Sequence, residues 1–558
     1  MYKKAFARRL KDNKFLVHLW EDSGYTKVEW DNQAYIECSE SEAKYKGLNG
    51  EHLKKVKNYR SDNPNLHFHD MPPYQKFLIE KYGINDTPST THRELFFDIE
   101  CEMLDDMSEE GLKKANKKIT SIAWYDKQVD EWGIVVLDEK NHFGSNIKTK
   151  TNKKIIPCRN EGELLAKFLE IFRDIDPDII VGWNSDYFDI PYLYYRMCKV
   201  LGQDFARHLS PIGYVRETPW FKDQYIQICG VESLDYMRLH KKFSWADEPS
   251  MRLDAIGEKY AGMKKIEYDG NLDKLYEEDI ATFIKYNFRD VEILKVLDEN
   301  LDYLALTKNL AHKGKHNYSE VYANTKTQDG AISAYLLSQN IIPPAKERNP
   351  ISKKNYAGGY LFCPKAGKMD YLFDLDLTSL YPSIIMTINI GKETYVGRII
   401  DADDRNNRLG YNDLKCMDYA EEMVIENNKR QQTRVSIGRI VKNIEQHDLL
   451  ISANGVMYSK DRESVLSTIL KKWFDERVIY KNKMKKAYQA GNKELGAAMH
   501  MKQYTMKILL NSLYGATALG SFRYGNVILS ESITLSGQRI IQESALAANR
   551  EMNKEMKA

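Results

Sequence analysis

The sequence predicts a multidomain protein that combines α/β and α+β architecture. Its 558 residues exceed what one hydrophobic core usually serves, and they indicate about three or four domains. Apolar strand-like runs alternate with an amphipathic helix in the first half, which favours a mixed sheet covered by helices. Two long helices are predicted further along the chain, near 464–490 and 495–514.

The elements of the first half follow from the apolar pattern. Residues 1–90 are polar, with short apolar stretches such as 15–20, and carry no recognisable chemistry. Continuous apolar runs predict buried strands at 95–100, 119–125, 132–137 and 178–184. A helix is predicted at 163–175, where apolar side chains recur at helical spacing, namely Leu164, Leu165, Phe168, Leu169 and Phe172. The polar stretch 307–320 is interpreted as a connection.

The second half predicts fewer strands and longer helices. Strands are expected at 356–362 and 371–377, and a surface insertion at 391–463, which is rich in Asn, Asp, Arg and Gly. After the two long helices, a short strand is expected at 525–530 and a final helix from about residue 532.

Composition excludes several classes of protein. No apolar run approaches the roughly 20 residues of a membrane span, and the polar start lacks the apolar core of a secretory signal. The 7 cysteines form no CxxC pair, which argues against a zinc knuckle and fits a reducing cytoplasm. Residues 471–507 hold nine Lys and one Arg against two Glu and one Asp. This excess suits a polyanionic ligand, although a solvated helix face has the same composition.

One group of acidic residues is arranged as in a metal site. Asp98 and Glu100 lie two apart on a predicted strand, so both side chains leave the same face. Such a pair is usually just an exposed acidic pair. Asn184 and Asp189 follow another apolar strand, where α/β active sites commonly lie.

A third acidic segment lies on a predicted helix. Tyr286 and Asp290 are four residues apart and therefore share one helix face. A buried tyrosine that hydrogen-bonds a nearby carboxylate would give the same pattern.

The second half carries a different set of candidates. The sequence DLTSLYPSI places Asp376 at the end of an apolar strand, with Pro382 ending the ladder soon after. Asp374 lies two residues earlier, and spacing alone does not choose between the two acids. Polar stripes follow on the predicted long helices, one formed by Arg477 and Lys481, the other by Lys507, Asn511 and Tyr514.

These segments resemble the motifs of family B DNA polymerases, and most closely those of the replicative polymerases of T-even-type bacteriophages. The matching segments are D-x-E at 98–100, N-x-x-x-F-D at 184–189, Y-x-x-x-D at 286–290, DLTSLYPSI at 376–384 and KILLNSLYG at 507–515. The resemblance implies a ribonuclease H-like 3′→5′ exonuclease domain and a partial right-hand polymerase, with part of the palm and helical fingers. It would bind primer–template DNA and deoxynucleoside triphosphates.

The resemblance implies a proofreading site with two Mg²⁺ ions, for which Mn²⁺ could substitute. Asp98 would bridge both ions, while Glu100 and Asp290 would complete the site that activates water. Asp189 would hold the second ion. Tyr286 would orient the water, Asn184 would contact the substrate strand, and a hairpin at 221–230 would help to move the primer end.

The same resemblance assigns nucleotide-handling roles in the second half. Asp376 would bridge two catalytic ions, with the Leu377 carbonyl as a further ligand and Tyr381 beneath the incoming sugar. The cations facing the triphosphate would be Arg477, Lys481 and Lys507, with Asn511 nearby. Tyr514 and Gly515 would line the nascent base pair. For Lys481, a merely solvated helix face remains an alternative.

One component of a polymerase is missing from the sequence. No Asp follows Asp475, whereas the family places a second catalytic carboxylate in a later D-T-D hairpin. Glu531 lies in an SES context that does not match. The chain is therefore expected to be an N-terminal portion, naturally split or truncated, that excises DNA ends but does not extend primers.

A second polypeptide would supply the remaining palm and thumb, and with them any sliding-clamp contact, in the cytoplasm of an infected bacterium. The alternative is a noncatalytic DNA-binding or assembly subunit. The implied domains are an N-terminal domain at 1–90, completed by about 310–365, an exonuclease domain at 91–309, a first part of the palm at 366–463, fingers at 464–515 and an incomplete second part of the palm at 516–558.

Overall fold

The computed structural model describes residues 1–143, 153–218, 226–244, 246–347, 358–362, 366–368, 376–400 and 409–555. Contacts divide the chain into two compact units. Unit 1 comprises residues 1–31, 73–78 and 85–322, and unit 2 comprises residues 32–72, 79–84 and 323–558. The five-part division expected from the sequence stays a prediction.

The strands, in chain order, are β1 (Tyr2–Arg9), β2 (Lys14–Glu21), β3 (Gly24–Asp31), β4 (Ala34–Glu37), β5 (Tyr45–Gly47), β6 (His52–Val56), β7 (Leu66–His67), β8 (Glu94–Cys101), β9 (Ile119–Asp126), β10 (Glu131–Leu137), β11 (Lys153–Cys158), β12 (Ile179–Gly182), β13 (Val215–Glu217), β14 (Ile226–Ile228), β15 (Glu232–Asp235), β16 (Ile341–Ile342), β17 (Tyr395–Ile399), β18 (Glu422–Asn427), β19 (Gln432–Ser436), β20 (Leu450–Ile451) and β21 (Val456–Tyr458).

The α-helices are α1 (Pro73–Tyr82), α2 (Glu109–Lys114), α3 (Glu161–Ile175), α4 (Asp189–Leu201), α5 (Gln203–Ala206), α6 (Tyr236–Phe243), α7 (Leu253–Ala261), α8 (Leu272–Glu278), α9 (Ile280–Leu301), α10 (Tyr303–Gly314), α11 (Asn324–Ser338), α12 (Leu380–Ile388), α13 (Tyr411–Lys415), α14 (Ile437–Gln446), α15 (Val465–Gln489), α16 (Lys493–Thr517) and α17 (Val527–Glu555). Among the described residues, no helix is both long enough and apolar enough to span a membrane.

Unit 1 is built on a six-stranded mixed sheet in the order β11-β10-β9-β8-β12-β15. β9 pairs antiparallel with β8 and β10, whereas β12 runs parallel to β8 and β15. The buried strands are predicted correctly because their apolar runs are continuous, and the helix predicted at 163–175 is confirmed as α3. The polar side chains discussed below therefore lie at the margins of a well-packed core.

Unit 2 contains two five-stranded sheets, β16-β5-β6-β4-β7 and β19-β18-β17-β21-β20. The second sheet falls within 391–463, for which only a surface insertion is expected from the sequence. It packs on α14 around buried apolar residues, among them Ile399, Met423, Ile440 and Met457. The strands are short and most of their exposed positions are polar. The composition of 391–463 therefore gives no signal for a sheet. The two predicted long helices are confirmed as α15 and α16.

Two further predictions are wrong for local reasons. Residues 307–314 are helical, as part of α10. Leu306, Leu310 and Ala311 form a buried helix face, which the polar composition of the stretch does not reveal. Residues 527–530 begin α17 instead of a strand. The Asn526 side chain accepts a hydrogen bond from the Leu529 backbone at 3.1 Å, and this N-cap outweighs the strand preference of Val527 and Ile528.

Strands are also predicted at 356–362 and 371–377, before the DLTSLYPSI segment. Residues 358–362 are not a strand, and Leu361 and Phe362 are 95% and 72% exposed. Residues 371–375, which include Asp374, lie outside the described residues.

A buried ion pair ties together distant segments of unit 2. Arg523 is fully buried, and its guanidinium donates to Asp70 Oδ1 at 2.6 Å. The Arg523 backbone donates to Asp329, which also pairs with Lys346 at 3.1 Å. Burial raises the pKa of Asp70, but the charge of Arg523 outweighs it and leaves that pKa below the usual value.

We expect Asp70→Asn to destabilise unit 2 at neutral pH by about 3 kcal/mol, because it leaves Arg523 buried with less compensating charge. Since the folded-state pKa is depressed, the stabilisation is complete above the unfolded pKa near 3.8 and is lost as pH falls below it. Urea unfolding of wild type and variant at pH 7 and below pH 3.8 measures this. A difference that stays constant with pH would contradict the assignment.

Candidate active site

Three of the predicted acids meet in unit 1. Asp98 and Glu100 leave the same face of β8, and Asp290 reaches them from α9. Each contributes one carboxylate oxygen to a group whose oxygens all lie within 4.8 Å of one another. Asp290 is only 2% exposed. The spacing on the strand and the packing of the helix thus place three hard anionic ligands at one point.

Asp189 lies beside this group and is held differently. It begins α4, and its Oδ1 accepts a hydrogen bond from the Ile99 backbone at 3.2 Å. Its charge adds to the effect of burial and of Asp290 in raising the pKa of both Asp98 and Glu100. Among the described residues, however, Asp189 is outside the close-packed group of three carboxylates.

The acids open into a cavity of about 700 Å³. Its lining contains four of the predicted residues, namely Asp98, Asn184, Tyr286 and Asp290. Asn184 follows β12 in a left-handed backbone conformation, with φ of 61°, and its backbone donates to Asp235 at 3.0 Å. Trp183, Arg252 and Tyr268 add aromatic and cationic surface to the same cavity.

Two residues that the sequence did not single out organise the acids. Asn287 donates to Asp98 Oδ2 at 2.7 Å and accepts from Ser121 at 2.9 Å. Lys265 lies 2.5 Å from Asp290 Oδ2 and donates to the Tyr286 hydroxyl at 3.1 Å. Asn287 could have been noticed as a polar residue inside an apolar helix, whereas no local signal marks Lys265.

The negative charge of the clustered carboxyl groups exceeds the positive charge that Lys265 brings to them. Burial, then the charges of Asp290 and Glu100, raise the pKa of Asp98 well above its ordinary value. Burial and Asp290 raise the pKa of Glu100 to about 8, and burial raises that of Asp189 to about 7. Burial also raises the pKa of Asp290 despite Lys265.

A divalent cation fits this group of acids. Carboxylate oxygens are the ligands that hard cations prefer, and a bound cation would offset the mutual repulsion. Asp290 Oδ1 is buried and has no hydrogen-bond partner among the described residues. This unused acceptor, together with the clustering, is what the residues of a metal site provide.

Family models match both halves of the chain. The exonuclease domain of DNA polymerase family B matches residues 74–256, and the model of DNA polymerase family B matches residues 323–558. The chain belongs to the family B DNA polymerases. Asp98 and Asn184 of the cavity lie in the segment matched by the exonuclease model, while Tyr286 and Asp290 follow it in the chain.

Curated relatives agree with this family. The DNA-directed DNA polymerase of Escherichia phage RB69 is 29% identical over 480 residues, which cover 76% of this chain and 50% of the relative. That of Enterobacteria phage T4 is 27% identical over 451 residues, covering 72% and 47%. The DNA polymerase of Pyrococcus glycovorans is 24% identical over 498 residues, covering 85% and 53%. The chain spans about half the length of these relatives.

The polymerase half of this family B chain brings some of its predicted residues together. Tyr381 in α12 and Tyr514 in α16 have ring centroids 4.4 Å apart. Asp376 and Leu377 are exposed just before α12, and Pro382 lies in the first turn of that helix instead of at a strand end. Because Asp374 lies outside the described residues, the choice of Asp376 as the metal ligand stays a prediction.

The cationic residues lie on the two long helices. Arg477 and Lys481 are in α15, while Lys507 and Asn511 are in α16, and these helices pack along each other. Lys481 and Asn511 are exposed, and a Cβ atom at Gly515 would meet nothing within 4 Å. For the predicted primer-moving hairpin, β14 pairs antiparallel with β13, and residues 219–225 lie outside the described part.

We expect Lys265→Met to raise the affinity of the acidic group for Mn²⁺ by about tenfold, because it removes the cation that competes for Asp290. Isothermal titration with Mn²⁺ measures this. Lys264→Met is the matched control, since Lys264 lines the same cavity but pairs with Glu258. Unchanged or weaker binding in Lys265→Met would show that Lys265 does not occupy the cation position.

Proposed function

We propose that this chain is a 3′→5′ exonuclease of DNA and the N-terminal part of a DNA-directed DNA polymerase that proofreads during phage replication. The observation that carries the proposal is the cluster of Asp98, Glu100 and Asp290, of which Asp98 and Asp290 line a cavity together with Tyr286 and Asn184. We interpret unit 1 as containing a ribonuclease H-like domain, and unit 2 as containing palm and fingers of a right hand. Action would take place in the cytoplasm of the infected bacterium.

In this proposal the acids hold two Mg²⁺ ions, which can be replaced by Mn²⁺. Asp98, Glu100 and Asp290 would hold the ions, with Asp189 as a further ligand. When bound, such ions make a water molecule more acidic and stabilise negative charge on the scissile phosphate. Water adds to the terminal phosphorus, the bond to the 3′ oxygen of the preceding nucleotide breaks, and a nucleoside monophosphate leaves.

The protein's own groups would orient this reaction. Lys265 donates to the Tyr286 oxygen, so the phenolic proton is free to point toward a water in the cavity. Burial raises the pKa of Tyr286, which keeps that proton in place at neutral pH. Asn287 holds Asp98 in one orientation, and Asn184 would contact the DNA strand.

The polymerase part would bind a deoxynucleoside triphosphate but lacks one catalytic component. Asp376 and the Leu377 carbonyl would hold metal, and Tyr381 would support the sugar. Arg477, Lys481 and Lys507, with Asn511, would contact the phosphates, while Tyr514 and Gly515 would line the base pair. Within these 558 residues no Asp follows Asp475, so a second palm carboxylate for two-metal chemistry would have to come from outside them.

A noncatalytic DNA-binding or assembly role is the second candidate, and the missing palm carboxylate favours it. An exonuclease needs the carboxyl groups of Asp98, Glu100 and Asp290 for cleavage, whereas a noncatalytic subunit does not. A noncatalytic subunit would bind DNA ends equally well with or without Asp98.

We expect the purified chain with Mg²⁺ to shorten a 5′-labelled single strand from its 3′ end. Asp98→Ala should slow cleavage by about a thousandfold, because ligand loss removes several kcal/mol of charge stabilisation. Asp105→Ala is the control, since Asp105 is an acid with 86% side-chain exposure outside the cavity. DNA binding without cleavage by wild type, in Mg²⁺ and in Mn²⁺, would instead support the noncatalytic role.

The 558 residues alone should not extend a primer, because Asp376 is the only matched palm carboxylate in the sequence. A primer–template with an exonuclease-resistant 3′ end, incubated with all four deoxynucleoside triphosphates, tests this in the Asp98→Ala background. Extension that disappears in an Asp98→Ala/Asp376→Ala double variant would refute the need for a second carboxylate segment.

A further inference from the structure

Asn184 lines the cavity from a strained backbone conformation. It follows β12 with φ of 61°, in the left-handed region, and shares the cavity lining with Asp98 and Asp290. Residues other than glycine adopt this conformation at a cost in free energy, even though asparagine tolerates it better than most. Contacts with other parts of the fold must therefore hold the turn that Asn184 begins.

The Asp235 side chain holds the Asn184 backbone. β15 runs parallel to β12, and Asp235, its last residue, is paired with Gly182 in that register. Asp235 Oδ1 accepts a hydrogen bond from the Asn184 backbone at 3.0 Å, and Oδ2 accepts one from the Asp186 backbone at 3.4 Å. The neighbouring strand thus supplies acceptors for two backbone N–H groups of the turn after β12.

The same turn is also held through the Asp186 side chain. Asp186 Oδ1 accepts from the Ser233 hydroxyl at 2.6 Å, and Oδ2 accepts from the Arg238 guanidinium at 2.6 Å. That guanidinium lies 3.8 Å from the centroid of the Tyr322 ring. Asp186 is only 2% exposed, so water competes little with these contacts. The turn is fixed at both residue 184 and residue 186.

Asp235 lies behind the cavity and does not line it. It is fully buried, whereas Asn184 and Met237 on either side of it in space and sequence are lining residues. Burial, then the charge of Asp186, raise the pKa of Asp235 to about 7, so the fold keeps a carboxyl group where its charge is poorly solvated. Any effect of Asp235 on a bound strand would pass through the residues that it holds.

We propose that Asp235 is a positioning residue for the DNA strand: by holding the Asn184 backbone, it directs the Asn184 side chain toward the strand in the cavity. This inference rests on the proposed function, in which Asn184 contacts that strand. Asp235 is also the N-cap of α6, where its side chain accepts from the Met237 backbone at 3.0 Å. The two tasks of the carboxylate can be separated by substitution, because they need side chains of different reach.

The test compares Asp235→Asn with Asp235→Ser. Asparagine keeps the length of the side chain and one acceptor oxygen, so it should bind a strand within about threefold of the parent chain. Serine is a good N-cap but is too short for the Asn184 backbone, and it should weaken binding about tenfold. Anisotropy of a fluorescein-labelled oligothymidylate with Mg²⁺ measures this in the Asp98→Ala background, where the strand stays intact.

A double-mutant cycle separates positioning from general damage. In the Asn184→Ala background, Asp235→Ser should cause no further loss of strand affinity, because no amide remains to be positioned. With Asp98 intact, isothermal titration should show Mn²⁺ binding within about twofold of wild type. Asp279→Ser is the matched control, since Asp279 caps α9 by accepting from the Thr282 backbone at 3.0 Å and is exposed outside the cavity lining.

Unchanged strand affinity in Asp235→Ser would overturn the proposal. An additive loss in the Asn184→Ala background would overturn it too, because the role of Asp235 would then be purely structural. Asp235→Thr, a second N-cap residue of the same reach, should behave like the serine variant and replaces it if serine prevents folding, which the melting temperature shows.

Two further outcomes distinguish this inference from the proposed function. Equal strand binding with and without the Asn184 side chain would overturn the inference, because Asp235 would hold nothing that the strand needs. The expected losses of affinity in a chain that, with Asp98 intact, does not cleave DNA would refute the exonuclease and still support the positioning role.

Discussion

The central constraint in this protein is the gathering of like-charged carboxyl groups on β8 and beside it. Burial raises the pKa of Asp98, Glu100, Asp189 and Asp290, and the charge of Asp290 raises the pKa of the first three further. Such a group does not stabilise itself. The surrounding fold must hold it, and a site that keeps acids together at this cost is suited to cations that neutralise them.

The supporting contacts come from several directions around the sheet. Asn287 fixes Asp98 from α9, the Ile99 backbone fixes Asp189, and Lys265 holds both Asp290 and Tyr286. The contacts from Asn287 and Ile99 orient Asp98 and Asp189 before a cation arrives, which reduces the reorganisation that binding would otherwise require, whereas Lys265 competes with a cation for Asp290.

Unit 2 uses buried polar contacts for a related purpose. The Gln328 side chain of α11 donates to the Leu509 carbonyl at 2.9 Å and to Ser512 at 2.8 Å, and so anchors the later turns of α16. Asp329, the next residue, accepts from Arg523. The helix that carries Lys507, Asn511 and Tyr514 is thus fixed on its buried side while its polar stripe stays accessible. This arrangement suits a phosphate-binding surface that must not tilt.

Local chemistry explains which elements could be predicted. The sheet of unit 1 is evident because long apolar runs and helical spacing are strong signals over many residues. The sheet within 391–463 is not, because its strands are short and its core is assembled from single apolar residues far apart. The start of α17 depends on one cap at Asn526, which a run of β-branched residues obscures.

The sequence by itself determined the pairs that share one element, because backbone periodicity fixes them: Asp98 with Glu100 on a strand and Tyr286 with Asp290 on a helix. It also indicated the family, through motifs that are each contiguous in the chain. Only the tertiary structure decided which elements meet. Asn287 reaches Asp98 across 189 residues, and Lys265 pairs with Asp290 from a different segment. Such contacts follow from the packing of whole elements, which no local pattern encodes.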